Sequence, residues 1–288
     1  MSNNFPKEFP PQHQNTQPGI EEKMNPKPIY KIEELFKGSN KLKDKVAIIT
    51  GGDSGIGRAV SLAYAKEGAK IAIIYLNEHE DAEKTKKLIE DINGECILIS
   101  GDIGDENFCI NAVNTVIKEF NKINILVNNS AEQHVCNALT DITKEQFDRT
   151  FKTNVFGAFY ITKEVLKHLN AGDCIINTTS VTAYHGHKTL IDYSMTKGAL
   201  TSFTRSLALN LADKNIRVNA VAPGPVWTPL IPASFDMTEV SSFGKQSPMK
   251  RAAQPVELGE SYVFLASDGA SYITGETIHV NGGEIVNS

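Results

Sequence analysis

The chain is expected to fold as a single doubly wound α/β domain around a seven-stranded parallel sheet, preceded by a separate amino-terminal arm. Three observations predict this. Seven short runs rich in β-branched residues recur from residue 46 to residue 280. Segments of helical period separate them. Finally, the runs are apolar at consecutive positions, as strands covered on both faces are.

In chain order, VAIIT at 46 is the first strand, and a helix follows it to about Glu67. KIAIIY at 70 is the second, with a charged helix from about Glu80. CILIS at 96 leads into a helix whose Phe108, Val113, Val116, Ile117 and Phe120 fall on one face. INILVNN at 123 precedes a long helix from about Lys144, and CIINTTS at 174 precedes a helix in which Ala199, Leu200, Phe203 and Leu207 are spaced for one side. IRVNAVAP at 216, a helix near 256–266 and TIHVNGG close the pattern. No linker interrupts residues 45–288, so they read as one domain.

Residues 1–44 differ. Six of the chain's 12 prolines lie in the first 28 residues, among Gln, Asn, Lys and Glu. Such a composition buries too little apolar surface to order itself. Two readings stand side by side: a disordered tail, or an extended arm lying on a neighbouring subunit.

Composition narrows the function. With 288 residues, 41% apolar and 22% charged, the chain can bury a full core. A net charge of -5 without a basic cluster points away from nucleic acid. No apolar run approaches the ~18 residues of a membrane span. MSNNFPKEFPPQHQ has neither the basic nor the apolar region of a secretion signal, so the expected location is the cytoplasm. Cys96, Cys109, Cys136 and Cys174 have no CxxC spacing and read as packing residues.

Between the first strand and first helix, TGGDSGIGRAV places Gly51, Gly55 and Gly57 in a G-x3-G-x-G spacing. Glycines there allow a tight turn and close backbone approach, so that a pyrophosphate can sit on the helix N-terminus. Ser54 is the expected helix cap. The ribose end should lie after the second strand, in IIYLNEHED, where Tyr75 holds the usual acidic position and Asn77 and Glu78 follow. With neither an acid at Tyr75 nor a base before Lys84, the cofactor is NADP or NAD, and both stay open.

YSMTK puts Tyr193 and Lys197 four positions apart, on one face of an apolar-periodic helix. A second match, Tyr184 and Lys188, brackets Gly186 and has no such periodicity, so it reads as accidental. His134, His185 and His187 lack the spacing of a metal site on a rigid element, and no metal is expected. The stretch from Val226 to Met249 carries Trp227, Leu230, Phe235 and Phe243, too apolar for a free loop.

With TGGDSGIG, NNSA at 128, Asn154, Ser180, YSMTK and the Pro223-Gly224 pair in order, the chain from about 45 to 288 resembles the short-chain dehydrogenase/reductase family and its Rossmann fold. Its QxQxxQPG-type extension is similar, more narrowly, to that of a bacterial general-stress-type subgroup. The family usually has NNAG where this chain has Asn128, Asn129, Ser130 and Ala131. The resemblance implies a catalytic set of Asn154, Ser180, Tyr193 and Lys197: Tyr193 as acid/base, Ser180 as carbonyl partner, and Asn154 holding a water that links Lys197 to solvent. It implies cofactor contacts from Gly51, Asp53, Ser54, Gly55, Ile56, Gly57, Tyr75, Asn77, Asp102 (adenine side), Ile103, Asn129, Ser130, Tyr193, Lys197, Pro223, Gly224 and Val226. It also implies a lid over the substrate from Val226 to Met249, and a homotetramer paired through the helices at about 144–168 and 193–212.

Protonating a carbonyl oxygen at neutral pH requires a tyrosine below its usual ~10. Stabilising phenolate by roughly 4 kcal/mol brings it to about 7, and one ammonium ~4 Å away supplies that order at an effective dielectric near 20. Lys197 is therefore expected to depress Tyr193. The expected activity is hydride transfer between NAD(P)(H) and a small carbonyl or alcohol. A dinucleotide-binding regulator and a methyltransferase are the alternatives. The intact Ser180, Tyr193 and Lys197 argue against both, since neither needs a tuned phenol.

Overall fold

In the computed structural model, residues 5–31 and 38–286 are described; residues 1–4 and 32–37 of the arm and the last two residues lie outside them. Seven parallel strands, β1 (Val46–Thr50), β2 (Lys70–Tyr75), β3 (Cys96–Ser100), β4 (Ile125–Asn128), β5 (Cys174–Thr178), β6 (Arg217–Pro223) and β7 (Thr277–Val280), stand in the order β3-β2-β1-β4-β5-β6-β7. The chain reverses its direction of travel between β1 and β4, and this opens a crevice at the carboxyl ends of the strands, where ligands of open α/β sheets bind.

Alternating strand residues feed two cores. Ile49, Ile71 and Ile73 point to one face and Ile48, Ala72 and Ile74 to the other, all fully buried. Each isoleucine so buried contributes roughly 1.5–3 kcal/mol. Helices α1 (Gly55–Lys66), α2 (His79–Glu90) and α10 (Val256–Ala266) cover the first face. Helix α3 (Glu106–Phe120) covers the second, together with α5 (Ala158–Val165) and α7 (Ile191–Leu211).

The long helix expected from Lys144 is one continuous run with an inserted π-helical turn: α4 (Lys144–Phe151), the turn (Lys152–Gly157), then α5. Gly157 ends the turn where a Cβ would lie 2.6 Å from Ile103 Cγ1, so only glycine lets the helix approach the end of β3. Shorter helices α6 (Thr182–His185), α8 (Leu230–Ser234) and α9 (Met237–Ser242) surround the crevice.

The described part of the arm lies against the body of its own chain, an arrangement outside both readings drawn from its composition. Phe9 stacks on Trp227 with centroids 3.8 Å apart and planes at 9°. Trp227 Nε1 donates to Pro26 O at 2.8 Å, and Met24 is buried in the same cluster. Glu21, fully buried, pairs with the buried Arg58, which also reaches Asp81 at 3.2 Å. Composition averages over residues, whereas this arm is held by a few anchors at irregular intervals.

Candidate active site

One cavity of about 490 Å³ runs along the carboxyl ends of the strands. The glycine turn forms its floor. Gly51 and Gly55 have φ of +63° and +50°, and a Cβ on Gly57 would stand 1.8 Å from Gly51 O. Gly57 therefore serves the turn's closure rather than the cavity wall. Ser54 occupies the helix-cap position without a side-chain capping bond. The cap comes instead from the arm: Glu21 Oε2 accepts the Gly55 N–H at 2.9 Å. A carboxylate there also suits the positive end of the helix dipole.

Of the sequence-derived positions, Gly51, Asp53, Ser54, Gly55, Ile56, Tyr75, Asp102, Ile103, Asn129, Ser130, Ser180, Tyr193, Lys197, Pro223, Gly224 and Val226 all line this cavity. Asn77 does not: it is exposed, and Glu78 stands on the wall in its place. Tyr75 donates toward or accepts from His79 Nδ1 at 3.0 Å. Asp53 is almost wholly buried, and burial, then the nearby Glu78, pushes its carboxyl up to about 7. This end of the cavity is acidic, since Arg58 beneath it is fully engaged.

Asp102 sits in a charge chain that carries no motif. Burial would raise its carboxyl, but Arg149 at 2.7 Å and the Gly104 N–H at 2.8 Å outweigh this and hold it below its ordinary value. Arg149 reaches on to Glu132 at 3.1 Å. Glu132 directly follows NNSA, so adjacency to that motif was the available signal; Arg149 offered none.

Asn154, in the π turn, is buried and off the cavity wall. Its Oδ1 accepts the Glu132 N–H at 2.9 Å, while Nδ2 donates to Glu132 O at 2.9 Å and Thr196 Oγ1 at 3.1 Å. With both amide hydrogens engaged, the side chain pins the β4 loop to α7.

Helix α7 presents Tyr193 and Lys197 to the cavity on successive turns. Its first turn is held by Asp192, a residue without sequence signal, which is fully buried and accepts Thr150 Oγ1 at 2.9 Å and Gln146 Nε2 at 3.1 Å. Lys197 Nζ donates to Thr178 O at 2.8 Å and lies 5.5 Å from the Tyr193 ring centroid. Ser180 Oγ accepts from Thr182 N and Thr182 Oγ1, both at 3.1 Å, which leaves its own hydrogen for Tyr193 or, in its place, a substrate oxygen. Tyr184 sits in α6 with its ring against His279, and Lys188 lies in the turn beyond.

The expected depression of Tyr193 is absent. Burial pushes its phenol up to about 12, with a hydrogen bond to Ser180 opposing. Burial likewise drives Lys197 down to about 7. A single carbonyl partner does not repay the desolvation of an ammonium, and a lysine that is half discharged at neutral pH lends its neighbour little field.

Whether a dinucleotide suits this cavity is tested by its polar groups. The glycine turn leaves backbone room, and Thr153 Oγ1, buried on the wall, has no partner. Both fit a long polar ligand. A doubly wound sheet, a glycine turn and a tyrosine-lysine-serine cluster in one crevice define a dinucleotide-dependent oxidoreductase.

The chain belongs to the short-chain dehydrogenase/reductase family. The family model described as enoyl-(acyl carrier protein) reductase matches residues 51–284. General stress protein 39 of Bacillus subtilis (strain 168) is 58% identical over 283 residues, covering 98% of this chain and 99% of that one. The NADPH-dependent aldehyde reductase 1, chloroplastic, of Arabidopsis thaliana is 48% identical over 284 residues, covering 96% and 98%. Among solved structures, a short chain dehydrogenase from Burkholderia cenocepacia J2315 in complex with NADP superposes with a TM-score of 0.80 at 28% identity, over 84% of this chain and 98% of that one.

Proposed function

We propose that the protein is an NAD(P)-dependent reductase of small aldehydes or ketones, working in reverse as an alcohol dehydrogenase. The observation that carries this reading is the convergence of the Ser180 and Tyr193 hydroxyls on one cavity wall, with Lys197 Nζ buried behind them. The aldehyde reductase relative supports the substrate class.

Bound nicotinamide supplies the hydride. The glycine turn and Asn129 would hold the dinucleotide, with Tyr75, Asp53 and Glu78 on the wall where its adenosine end would lie. A phenol raised to about 12 is fully protonated at neutral pH, so Tyr193 is poised as the acid that gives its proton to the carbonyl oxygen. Ser180, with its acceptor sites filled by Thr182, donates its remaining hydrogen to the same oxygen. The phenolate left behind is stabilised by Lys197 once that amine holds a proton. These states favour carbonyl reduction at neutral pH and below.

The same reading includes a homotetramer in the cytoplasm. Phe156 and Phe159 near the start of α5 are about half exposed, as is Met195 on α7, an apolar surface on the helices that the family pairs. All four cysteines are free, as a reducing compartment keeps them. Among the described residues no helix is long and apolar enough to cross a membrane.

The test is a panel of aldehydes and ketones with NADH and NADPH, followed by the absorbance of the reduced nicotinamide. Turnover of none of them with either cofactor would refute the reading and leave a dinucleotide-binding regulator.

A further inference from the structure

The arm does more than cover the body: it completes the cavity. Its segment from Gln14 to Ile20 is a closed loop, braced across its base by the Gln14 side chain, which accepts Ile20 N–H at 2.7 Å and donates to Ile20 O at 2.9 Å. Both flanks are anchored, at Phe9 on Trp227 and at Glu21 on Arg58 and Gly55. The tip, Gln17-Pro18-Gly19, reaches the crevice between two elements of the body. On one side Gln17 Oε1 accepts Gln133 N–H at 3.1 Å while Nε2 donates to Gln133 O. On the other, Nε2 approaches Ala233 O in α8 at 3.4 Å. Gly19 presses on the same helix, with a Cβ there falling 2.2 Å from Pro229 O and 3.0 Å from Ala233 Cβ.

Pro18 and Gly19 line the cavity beside Gln133, Ile231 and Phe235. Phe235 and Ile231 share a buried cluster with Tyr193, so this is the end at which the reacting carbonyl would sit. The Gln17 amide is spent on backbone groups and has nothing to offer a ligand. What lines the cavity here is Pro18 and Gly19, a wall without a polar side chain that is braced from both flanks.

We propose that this arm loop is the specificity-determining wall of the substrate end, limiting the enzyme to compact carbonyl compounds by size. The proposal rests on the reductase reading above. A wall of this kind discriminates through packing, where each misplaced carbon is worth on the order of tenfold. Gln17 acts as a positioning residue, holding Pro18 in place through Gln133.

The experiment compares wild type, Gln17→Ala and Pro18→Gly on propanal and 2-naphthaldehyde with saturating cofactor. The ratio of kcat/KM for the larger over the smaller aldehyde should rise about tenfold or more in both variants, through a lower KM for naphthaldehyde, with cofactor Kd within about twofold. A purely structural role would lower kcat on both aldehydes together and leave the ratio unmoved, which overturns the proposal. Calorimetric titration of the cofactor-loaded proteins with 2-naphthol and 1-propanol reads the wall without turnover. If wild type reduces nothing, the reductase reading fails. The wall then stands on tighter naphthol binding in both variants and falls if that binding is unchanged.

Discussion

Glu21 of the arm caps helix α1 at Gly55, 34 residues further along the chain, through a 2.9 Å hydrogen bond from the Gly55 N–H to Oε2. The same carboxylate neutralises Arg58, which is fully buried. Glu21→Ala should cost about 3 kcal/mol, the scale for stranding one partner of a buried ion pair, softened by Asp81. Glu21→Gln, which can still accept from Gly55, should cost less. Urea denaturation of the three proteins checks this, and equal midpoints would show that the arm contributes nothing at this point.

Tyr193→Phe should lower kcat by about two to four orders of magnitude with cofactor affinity kept. Tyr184→Phe should leave kcat within about twofold, because the Tyr184 hydroxyl is buried without a partner and its loss strands nothing. Steady-state rates with fluorescence titration of the cofactor separate the two. Greater damage from the change at Tyr184 would reverse the assignment.

Lys197 gives a stability prediction that opposes its effect on function. Its folded value, about 7, lies below the unfolded 10.5, so the native state disfavours the ammonium. The penalty is fully present below pH 7 and fades as pH rises from 7 to 10.5. Lys197→Met should therefore raise the melting temperature of the cofactor-free protein at pH 6 by the equivalent of a few kcal/mol, at about 1.4 kcal/mol per unit, and much less at pH 10. Its cofactor binding should weaken by about 1.5–3 kcal/mol through lost charged hydrogen bonds. A variant that melts lower at pH 6 contradicts this account of the buried amine.

Two carboxylates at the adenosine end should disfavour a 2′-phosphate. NADH is expected to have the higher kcat/KM at pH 8, with the preference shrinking toward pH 6 as Asp53, held near 7, takes up a proton. Asp53→Asn should shift the ratio toward NADPH by about tenfold, the effect of removing one like charge at ~1.4 kcal/mol. Paired rates across that pH range decide it. A constant ratio would remove Asp53 from cofactor choice.

Light scattering at micromolar concentration should report about four times 31.5 kDa. Phe159→Glu would place a charge on the exposed surface of α5 and should shift the assembly toward smaller species. A wild-type mass of one chain would refute the tetramer.

The sheet was legible because β-branched runs and their spacing are local properties, and each strand lies where its apolar run stands. The Tyr193 and Lys197 pair was legible for the same reason, since four residues on a helix is one turn. What escaped was non-local. Glu21 and Gly55 cap a helix across the chain, Arg149 ties Asp102 to Glu132, and Asp192 fixes the start of α7 from within, none with a pattern along the sequence. The electrostatics escaped too, because the Coulomb argument for Tyr193 omitted desolvation, which depends on burial that spacing does not encode.

The stacking of Phe9 on Trp227 has an optical consequence. Trp227 is the chain's single tryptophan and it is wholly buried, so all indole emission comes from the spot where the arm is pinned. Detachment of the arm would wet that ring and move its emission to longer wavelength, while unfolding elsewhere would leave it unchanged as long as Phe9 stayed in place. The protein thus carries an intrinsic, label-free reporter of arm docking, suited to timing how often the strap lifts during turnover.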